Sequence, residues 1–550
     1  MIEELKNIIT GEISSNEKDL LVYSHDASIF EIKPQLVIKP KNDDIKNLIK
    51  WVANNKGSNP GLSLTARSGG TDMTGGVLND SIILDFTKYY NTIIEIQRAP
   101  SGEGGFAVVE PGVFYRDFEK KTLKENLLLP SYPASREICT MGGMVANNSG
   151  GEKSLHYGKT EDYVQELNVV LSDGEEYVFK AIGPEELEQK KLQNNLEGEI
   201  YRQMYALLEF NYELIQKARP NVSKNSAGYL LWNVWNRKRF DLAQLFTGAQ
   251  GTLGLITKIK FRLIKPKKYS GLLIIFLRDL EFLGEVVNLV NKSEPESFES
   301  YDDHTLYLTF KILPDLIKRI GFGAVFRFIP DLWAILTGGI PKMVMLVEFT
   351  DDDKGELMDK IKKCQNEIFN KFGVKTRITK DDADAQKYWL IRRESFNLLR
   401  KHVKGKKTAP FIDDIVVRPL YLTEFLPRLN AILDQYKNYM VYTIAGHPGD
   451  GNFHIIPLMD LSDDKSRQII PELSEKIYDL VLEYHGSITA EHNDGLIRTP
   501  YLEKMYGPEV YKLFEKTKLI FDPQNIFNPR KKVGTDMNYA MNHIRIDLHD

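Results

Sequence analysis

The sequence predicts an α+β protein with more than one domain. Residues 35–270 hold short β-branched runs separated by glycine-rich turns, with helical stretches between them. From about residue 267, similar runs alternate with longer amphipathic helices, such as the one predicted at 356–373. A chain of 550 residues is also too long for a single hydrophobic core. We therefore expect two α+β domains in succession.

The domain boundaries follow from these changes in pattern. The amphipathic N-terminal segment, 1–30, is expected to be helical. A first α+β domain covers 31–266, and a second one, with an antiparallel sheet, covers 267–520. The segment 521–550 begins with a stretch rich in turn residues and is expected to return to the first domain.

Composition limits the classes of partner. The net charge of −4, without a concentrated basic tract, argues against nucleic acid as the main partner. Two distant cysteines, Cys139 and Cys364, cannot build a disulfide framework or an iron–sulfur site, and a cytoplasmic location is expected. No stretch reaches the about 20 uninterrupted apolar residues of a membrane span, and the N-terminus lacks the pattern of a signal peptide.

The stretch 313–341 comes nearest to a membrane span. It is interrupted by Pro314, Pro330, Asp331 and several basic residues. Two interpretations stay open. The stretch forms a pair of buried helices, or it forms a basic, aromatic surface that docks on the inner face of a membrane or on an electron-accepting partner.

The first binding motif is the loop at 67–76, RSGGTDMTGG. Its four glycines allow backbone conformations closed to other residues and leave amide groups exposed, which makes an anion-binding nest. Arg67 adds positive charge, and Thr71 and Thr74 add hydroxyl donors. The loop matches neither GxxxxGK[ST] nor GxGxxG. Taken alone it is compatible with a tight surface turn, but its composition suits a pyrophosphate.

Two further glycine loops lie in the same domain. Residues 140–151 read TMGGMVANNSGG and lead into Tyr157 and Gly158, and residues 248–257 read GAQGTLGLIT just before a strand. Three such loops, each beside a strand, imply that one long ligand approaches the backbone closely. A dinucleotide has that size.

A different motif lies in the second domain, GHPGDGNFHIIP at 446–457. A hairpin with a five-residue turn would bring His447 and His454 near each other, since cross-strand neighbours lie roughly 4.5–5.5 Å apart. Downstream, Glu491 and His492 add a carboxylate and a third imidazole. Zinc and similar divalent metals prefer these groups. The pattern therefore predicts a reaction centre that holds a metal.

Together these motifs resemble the FAD-linked oxidases of the vanillyl-alcohol oxidase and p-cresol methylhydroxylase type. The sequence is most similar to the branch of D-lactate dehydrogenase, D-2-hydroxyglutarate dehydrogenase and the flavin subunit of glycolate oxidase. The resemblance runs from about residue 30 to 533 and is carried by RSGGTDMTGG, PGV, PSYPAS, TMGGMVANNSGG, YGK, VVLSDG, GAQGTLGLIT, GHPGDGNFH, AEHNDG and FDPQNIFNPRK. It implies a two-part FAD-binding domain over 31–266 and a substrate, or cap, domain over 267–520.

The resemblance assigns the glycine loops to FAD. It implies that the first two loops hold the pyrophosphate and ribityl chain, and that Pro133, Ser135 and Ile256 line the flavin. No histidine stands where relatives tether flavin, and His156 is the only candidate nearby, so non-covalent FAD is expected. The residues assigned to the cofactor are Arg67, Ser68, Gly69, Gly70, Thr71, Thr74, Gly75, Pro133, Ser135, Thr140, Gly142, Gly143, Asn147, Gly150, Gly158, Ile256 and Asn528.

For the second domain, the resemblance implies that His447, His454 and Glu491 hold a divalent metal, often zinc, and that His492 is the general base. A 2-hydroxy acid can chelate a metal through its hydroxyl and one carboxylate oxygen, which lowers the pKa of the hydroxyl. An imidazole then takes that proton, and the carbon-bound hydrogen leaves as hydride to the flavin. The implied function is FAD-dependent oxidation of a D-2-hydroxy acid, such as D-lactate or D-2-hydroxyglutarate, to the 2-oxo acid.

Two positions depart from the family pattern. The usual EHGIG reads EHNDG, so Asn493 and Asp494 stand beside the base. A carboxylate there is expected to raise the pKa of His492 or to repel an anionic substrate. Ile456 stands where some relatives carry an asparagine that contacts substrate. The substrate contacts of 2-hydroxyglutarate enzymes therefore do not transfer directly.

An anionic substrate needs a cationic partner. Arg393 matches the substrate-carboxylate arginine of the family, and Arg392 is an equally close match by register. A solvated basic helix face is the alternative for this stretch. Phe411 and Ile412 fall where some 2-hydroxyglutarate enzymes have a lysine, so a second substrate carboxylate has no evident partner unless a lysine at 406–407 serves.

Other functions stay open on the sequence alone. A flavoenzyme of the same fold could act on another alcohol, and a zinc hydrolase could use the same ligands with a metal-bound water, although it would leave the glycine loops unexplained. A non-catalytic flavin-binding protein would not need an intact base. With two cysteines the chain cannot carry an iron–sulfur relay. Electrons are therefore expected to pass to an external acceptor, such as a quinone, an electron-transfer protein, a cytochrome or oxygen.

Overall fold

The computed structural model describes residues 1–306, 339–402 and 405–546, with side chains at all of these except 393–402. Helices and several antiparallel sheets make it an α+β protein, and the predicted fold class is confirmed. The stretch 313–341 lies outside the described residues except for its last three, so both interpretations of it stay predictions. Among the described helices, none combines the length and the apolar character needed to cross a bilayer.

The first half of the chain forms two sheets from its described strands. The mixed sheet has the order β1, β2, β4, β3, with β4 parallel to both β2 and β3. The second sheet is antiparallel, with the order β5, β6, β10, β7, β8, β9. The strands are β1 Glu12–Ser14, β2 Leu36–Lys39, β3 Leu64–Arg67, β4 Ile82–Asp85, β5 Ile93–Arg98, β6 Gly105–Val109, β7 Val164–Val170, β8 Glu176–Ile182, β9 Phe240–Asp241 and β10 Leu255–Leu263.

The second half is built on a larger antiparallel sheet. Its described strands have the order β14, β11, β13, β12, β18, β19, β16, and β15, β20 and β17 form a small sheet beside it. The strands are β11 Tyr269–Leu277, β12 Ser297–Asp302, β13 Met343–Asp351, β14 Lys375–Ile378, β15 Lys407–Thr408, β16 Ile415–Val416, β17 Met440–Val441, β18 Ile444–His447, β19 Asn452–Ile455 and β20 Leu458–Met459.

Helices form where apolar residues recur every three or four positions, as predicted. In Asp44–Asn55 the buried positions include Ile45, Leu48, Ile49 and Val52. The described helices are Ile2–Lys6, Glu17–Tyr23, Asp44–Asn55, Tyr115–Lys124, Met141–Asn147, Ser154–Tyr157, Pro184–Lys191, Leu196–Phe210, Tyr212–Ala218, Leu231–Val234, Ala243–Phe246, Leu283–Asn291, Lys354–Phe372, Asp382–His402, Leu422–Leu433, Asp464–Glu483, Gly495–Arg498, Leu502–Phe521 and Met537–Asn542. Short 3-10 turns lie at Thr160–Asp162, Pro419–Tyr421, Asp434–Tyr436 and Thr499–Tyr501.

The three larger sheets pack in different apolar cores, and the small sheet shares the core of the large one. The mixed sheet packs against helix Asp44–Asn55, and the second sheet packs against Leu196–Phe210 and part of Leu502–Phe521. The large sheet of the second half packs against Lys354–Phe372 and Leu422–Leu433. These separate cores hold the loops between them in fixed positions.

The two ends of the chain add to the mixed sheet. The N-terminal segment is not helical throughout. Strand β1 lies between its two short helices and pairs antiparallel with β2. Near the C-terminus, the backbone N–H of Leu64 donates to the carbonyl of Ile526 at 2.7 Å, and the N–H of Asn528 donates to the carbonyl of Leu64 at 2.8 Å. Residues 526–528 therefore extend this sheet beside β3.

The histidine hairpin has a shorter turn than predicted. Asn452 already belongs to β19 and pairs with His447, so the turn comprises residues 448–451. His454 pairs with Ala445, which makes the two histidines diagonal neighbours on one face of the hairpin. Gly451 has a φ of +71°, and a Cβ placed on it would lie 1.8 Å from the Val417 carbonyl oxygen.

We expect Gly451→Ala to lower the free energy of unfolding by about 2–3 kcal/mol, because a left-handed φ strains alanine and the new methyl group collides with backbone. Urea denaturation measures this change. Gly57→Ala is the matched control, since Gly57 has open space around it, and it should change stability by less than about 0.5 kcal/mol. Equal effects of the two substitutions would contradict the described turn.

Candidate active site

A cavity of about 730 Å³ lies where the glycine loops meet the histidine hairpin. Residues from all three glycine loops, 67–76, 140–151 and 248–257, form one side of it. The other side comes from the hairpin and from the segment that contains Glu491 and His492. The two motifs of the sequence therefore belong to one site.

Most of the residues predicted to bind the cofactor line this cavity. A Cβ on Gly69 would lie 2.6 Å from the Ile138 carbonyl oxygen, and one on Gly142 would lie 2.4 Å from the Pro111 side chain, so close packing requires glycine at both positions. The lining residues from the prediction are Arg67, Ser68, Gly69, Gly70, Thr71, Pro133, Ser135, Thr140, Gly142, Gly143, Asn147, Gly150 and Ile256.

Four residues predicted to bind the cofactor, Thr74, Gly75, Gly158 and Asn528, are not among the described residues that line the cavity. A Cβ on Gly75 would lie 2.8 Å from Phe30, so Gly75 packs against apolar side chains behind the loop. The side-chain amide of Asn528 donates to carbonyls of the first and third glycine loops at 2.7 and 2.6 Å. The contacts of Gly75 and Asn528 support the loops from behind.

The first glycine loop is partly closed on itself. Asp72 Oδ2 accepts hydrogen bonds from the Thr74 amide at 2.9 Å, the Thr74 hydroxyl at 2.8 Å and the Gly76 amide at 2.7 Å. Arg67 donates to two backbone carbonyls of the N-terminal segment at 2.8 and 3.1 Å. Part of the first loop is therefore occupied by internal hydrogen bonds, while residues 67–73 and Gly76 line the cavity.

The segment 490–496 joins the glycine loops to the reaction centre. The Asn147 side-chain amide donates to the Glu491 carbonyl at 2.9 Å. The Asn493 side-chain amide donates to the Gly248 carbonyl at 2.9 Å. The backbone N–H of Leu496 donates to the Thr74 carbonyl in the first loop at 2.8 Å. One short segment thus touches all three loops and carries two residues of the site.

The two hairpin imidazoles face each other with their Nε2 atoms 3.3 Å apart. Nδ1 of His447 lies 2.5 Å from Glu299 Oε1, and Nδ1 of His454 lies 3.1 Å from Asp413 Oδ1. A neutral imidazole that donates its Nδ1–H to a carboxylate keeps a lone pair on Nε2. Both lone pairs therefore point into the space between the rings.

Glu491 adds a carboxylate to this pair. Its Oε1 lies 3.7 Å from His447 Nε2 and 2.6 Å from the Lys224 ammonium, which also lies 2.9 Å from Asp450. Burial alone would raise the pKa of Glu491, but the adjacent Lys224 ammonium outweighs it and lowers the pKa. Glu491 is therefore ionised at neutral pH.

The spacing of the two hairpin imidazoles suits a zinc ion. Tetrahedral ligands about 2.0–2.1 Å from zinc lie roughly 3.3–3.4 Å from one another, and the two Nε2 atoms match that spacing. Ligand atoms of Asp414, His454, Glu491 and His492 also lie within 4.8 Å of one another. Asp414 Oδ2, however, accepts four hydrogen bonds of 2.7–2.9 Å from 489–492, so it holds this turn in place.

His492 stands beside the hairpin pair, with its ring stacked on that of His454 at a centroid distance of 5.0 Å. Its Nδ1 lies 2.7 Å from Asp413 Oδ2. Burial lowers the pKa of an imidazole, but the carboxylates of Asp413 and then Asp414 outweigh it and raise the pKa of His492 to about 9. A divalent cation at the neighbouring donors would act in the opposite direction.

The expectation for Asp494 is wrong. Its carboxylate accepts from the Lys532 ammonium and from the Gly228 amide, both at 2.8 Å, and the Asp494 and Lys532 side chains are 0% exposed. Asp413 and Asp414, not Asp494, supply the negative charge beside His492. The negative charge of Asp494, although next to His492 in sequence, is thus neutralised by Lys532.

Of the two candidate arginines, Arg392 lines the cavity, and its Nε lies 3.1 Å from Glu299 Oε2. Arg393 lies outside the residues whose side chains are described, so its role stays a prediction. Ile456 lines the cavity two residues after His454. The described wall beside the imidazoles therefore combines a cation with an apolar side chain.

His156, the histidine near the second glycine loop, is not among the described residues that line the cavity. Its ring packs edge-on against Tyr157 with a centroid distance of 4.6 Å. Non-covalent FAD therefore stays the prediction.

The sequence analysis missed Glu299, Asp413, Asp414 and Lys224. The two aspartates follow Phe-Ile and precede Ile-Val-Val, and ionisable residues inside a buried apolar run indicate a site where charge is paired. That pattern could have identified them. Lys224 lies in a polar loop where no such pattern distinguishes it.

Two known domain families match separate parts of the chain. The FAD binding domain family matches residues 34–180, and the C-terminal domain family of the FAD linked oxidases matches residues 267–532. D-2-hydroxyglutarate dehydrogenase of Pseudomonas putida is 28% identical over 539 residues, which cover 96% of this chain and 51% of that protein. The chain thus spans about half the length of that relative. D-lactate dehydrogenase of Archaeoglobus fulgidus is 26% identical, covering 90% of this chain and 91% of that protein.

The fold is also that of solved structures. p-Cresol methylhydroxylase with substrate bound matches with a TM-score of 0.67 at 16% identity, covering 98% of this chain and 96% of that one. The predicted p-cresol methylhydroxylase type of fold is confirmed. The chain belongs to the FAD-linked oxidases, with an FAD-binding domain followed by the C-terminal domain of that family.

We expect Asp494→Asn to lower the free energy of unfolding by about 3–5 kcal/mol, because it leaves the buried Lys532 ammonium without its counter-charge. Urea denaturation is the measurement. The double variant Asp494→Asn with Lys532→Met removes both charges and should recover most of the loss. Equal stability of the wild type and Asp494→Asn would contradict the buried pair.

Proposed function

We propose that the chain oxidises a D-2-hydroxy acid to the corresponding 2-oxo acid. The observation that carries this proposal is the pair of carboxylate-supported imidazoles, which face the same cavity as the glycine loops of the FAD-binding domain. The relatives named D-2-hydroxyglutarate dehydrogenase and D-lactate dehydrogenase support the same reaction. FAD, when bound, supplies the acceptor for the hydride from the carbon that carries the hydroxyl.

His447, His454 and Glu491 would hold the divalent metal, and zinc suits this donor set. The metal, when bound, supplies the positive charge that lowers the pKa of the substrate hydroxyl. Lys224 contacts Glu491, and Glu299 contacts His447. Each of these contacts would hold one metal ligand in place.

His492 accepts the hydroxyl proton in this proposal. Asp413 holds its Nδ1, which leaves Nε2 for the substrate, and the same carboxylate holds His454 through its other oxygen. Arg392 binds the substrate carboxylate with its terminal nitrogens, because its Nε already contacts Glu299. Arg393 stays an alternative for this role.

The substrate in this proposal is a small monocarboxylate such as D-lactate or a dicarboxylate such as D-2-hydroxyglutarate, and an external acceptor takes the electrons from FAD. A flavoenzyme that oxidises another alcohol is the alternative within the same fold. The division near residue 266, with the FAD domain before it and the substrate domain after it, belongs to the proposal, as does peripheral membrane contact through 313–341.

We expect anaerobic D-lactate or D-2-hydroxyglutarate to bleach the flavin absorbance of the purified holoprotein, because hydride transfer reduces the flavin. Screening D-2-hydroxy acids in this way identifies the substrate, and the L-enantiomers are the control. Protein that is purified with FAD but is bleached by no 2-hydroxy acid would contradict the proposed reaction, while leaving the fold unaffected.

We expect His492→Ala and removal of metal with a chelator each to slow bleaching by at least about 100-fold, because each removes a part of the proton abstraction. Stopped-flow absorbance measures the rate. His156→Ala is the control, since that histidine is not among the described cavity-lining residues, and it should leave the rate unchanged. Bleaching that survives both treatments would contradict the roles of the base and the metal.

A further inference from the structure

Glu299 connects two parts of the site that the sequence does not relate. It lies on β12, whose Ser300 pairs with Gly446 in β18. One carboxylate oxygen lies 2.5 Å from His447 Nδ1, and the other lies 3.1 Å from Arg392 Nε. The Glu299 side chain is only 3% exposed, and it lines the cavity together with His447 and Arg392.

Each carboxylate oxygen of Glu299 contacts a different donor. The imidazole Nδ1–H and the guanidinium Nε–H are both donors, and each needs an acceptor. A carboxylate offers two acceptor atoms, whereas a carboxamide offers one acceptor and one donor. Arg392 also lines the cavity, so the same guanidinium that contacts Glu299 faces a ligand there.

A 2-hydroxy acid gives a reason for this shared contact. Its hydroxyl and its carboxylate stand on adjacent carbons, so the groups that hold them must lie at a fixed separation. A single rigid carboxylate between His447 and Arg392 fixes that separation better than two independent partners would.

Resting on the proposed function, we propose that Glu299 is a positioning residue shared by both halves of the site. It sets the ring of His447 for the metal, and it sets the guanidinium of Arg392 for the substrate carboxylate. Loss of Glu299 should therefore weaken metal binding and substrate binding together, through its contacts with His447 and Arg392.

The test is Glu299→Gln in the FAD-loaded protein. We expect the affinity for Zn²⁺, measured by competition with a chromophoric chelator, to fall about 10–100-fold because His447 loses its carboxylate partner. We expect the KM for the hydroxy acid that bleaches the wild type to rise about 10-fold, while the flavin spectrum and melting temperature stay near those of the wild type.

Single substitutions of the two partners separate the effects. Arg392→Gln should raise KM and leave zinc affinity within about threefold, and His447→Gln should lower zinc affinity. In the double variant Glu299→Gln with Arg392→Gln, KM should match that of Arg392→Gln alone, because Glu299 acts on the substrate through Arg392. Additive increases in KM would overturn the substrate half of the proposal.

Glu296→Gln is the matched control. Glu296 is a buried glutamate just before β12 that contacts Lys153 and Thr350, and it is not among the described cavity-lining residues. It should change neither zinc affinity nor KM. If Glu299→Gln does not fold, Glu299→Asp replaces it, since its shorter side chain cannot reach both partners.

Unchanged zinc affinity in a folded Glu299 variant would overturn the proposal, and so would an unchanged KM. If no 2-hydroxy acid bleaches the flavin of the wild-type protein, that result would instead contradict the proposed function. In that case the zinc measurement still decides whether Glu299 positions His447.

Discussion

The site depends on the way in which buried negative charge is paired. Glu299, Asp413, Asp414 and Glu491 are each at most 5% exposed, and a carboxylate buried without partners would cost far more than the net stability of a domain. Each one therefore contacts an imidazole, a cation or a row of backbone amides. The three imidazoles of the site lie within contact distance of these carboxylates. Glu299 contacts His447, and Asp413 contacts both His454 and His492.

This charge pairing also links the two halves of the chain. Lys159 and Lys224, both from the first half, reach the Ala490 carbonyl at 2.8 Å and the Glu491 carboxylate at 2.6 Å. The same short segment is hydrogen-bonded to all three glycine loops. In the proposed reaction, the distance between the flavin and the substrate carbon decides the rate of hydride transfer. In that proposal, the hydrogen bonds between the glycine loops and the segment of Glu491 and His492 would fix this distance.

The departures from expectation share one cause. Asp494 precedes a turn into helix Gly495–Arg498, and the turn carries its side chain to Lys532 and away from His492. Arg392 lies on helix Asp382–His402, and Glu299 lies on β12, far from it along the chain. The register of the helix against β12 brings Arg392 to Glu299. Closeness along the chain predicts neither contact, because the direction of each side chain depends on the packing of its element.

By itself, the sequence determined the fold class, the glycine loops that face the cofactor cavity, and the group of His447, His454, Glu491 and His492. These follow from local chemistry: glycine where the backbone comes close, turn residues between β-branched runs, and histidines on both sides of a hairpin turn. Only the tertiary structure decided which carboxylates support those histidines and that Arg392 lines the cavity. Glu299 and Asp413 lie 148 and 41 residues from the histidines that they contact. Such pairs form only when separate elements pack, since burial, and not spacing along the chain, requires each charge to find a partner.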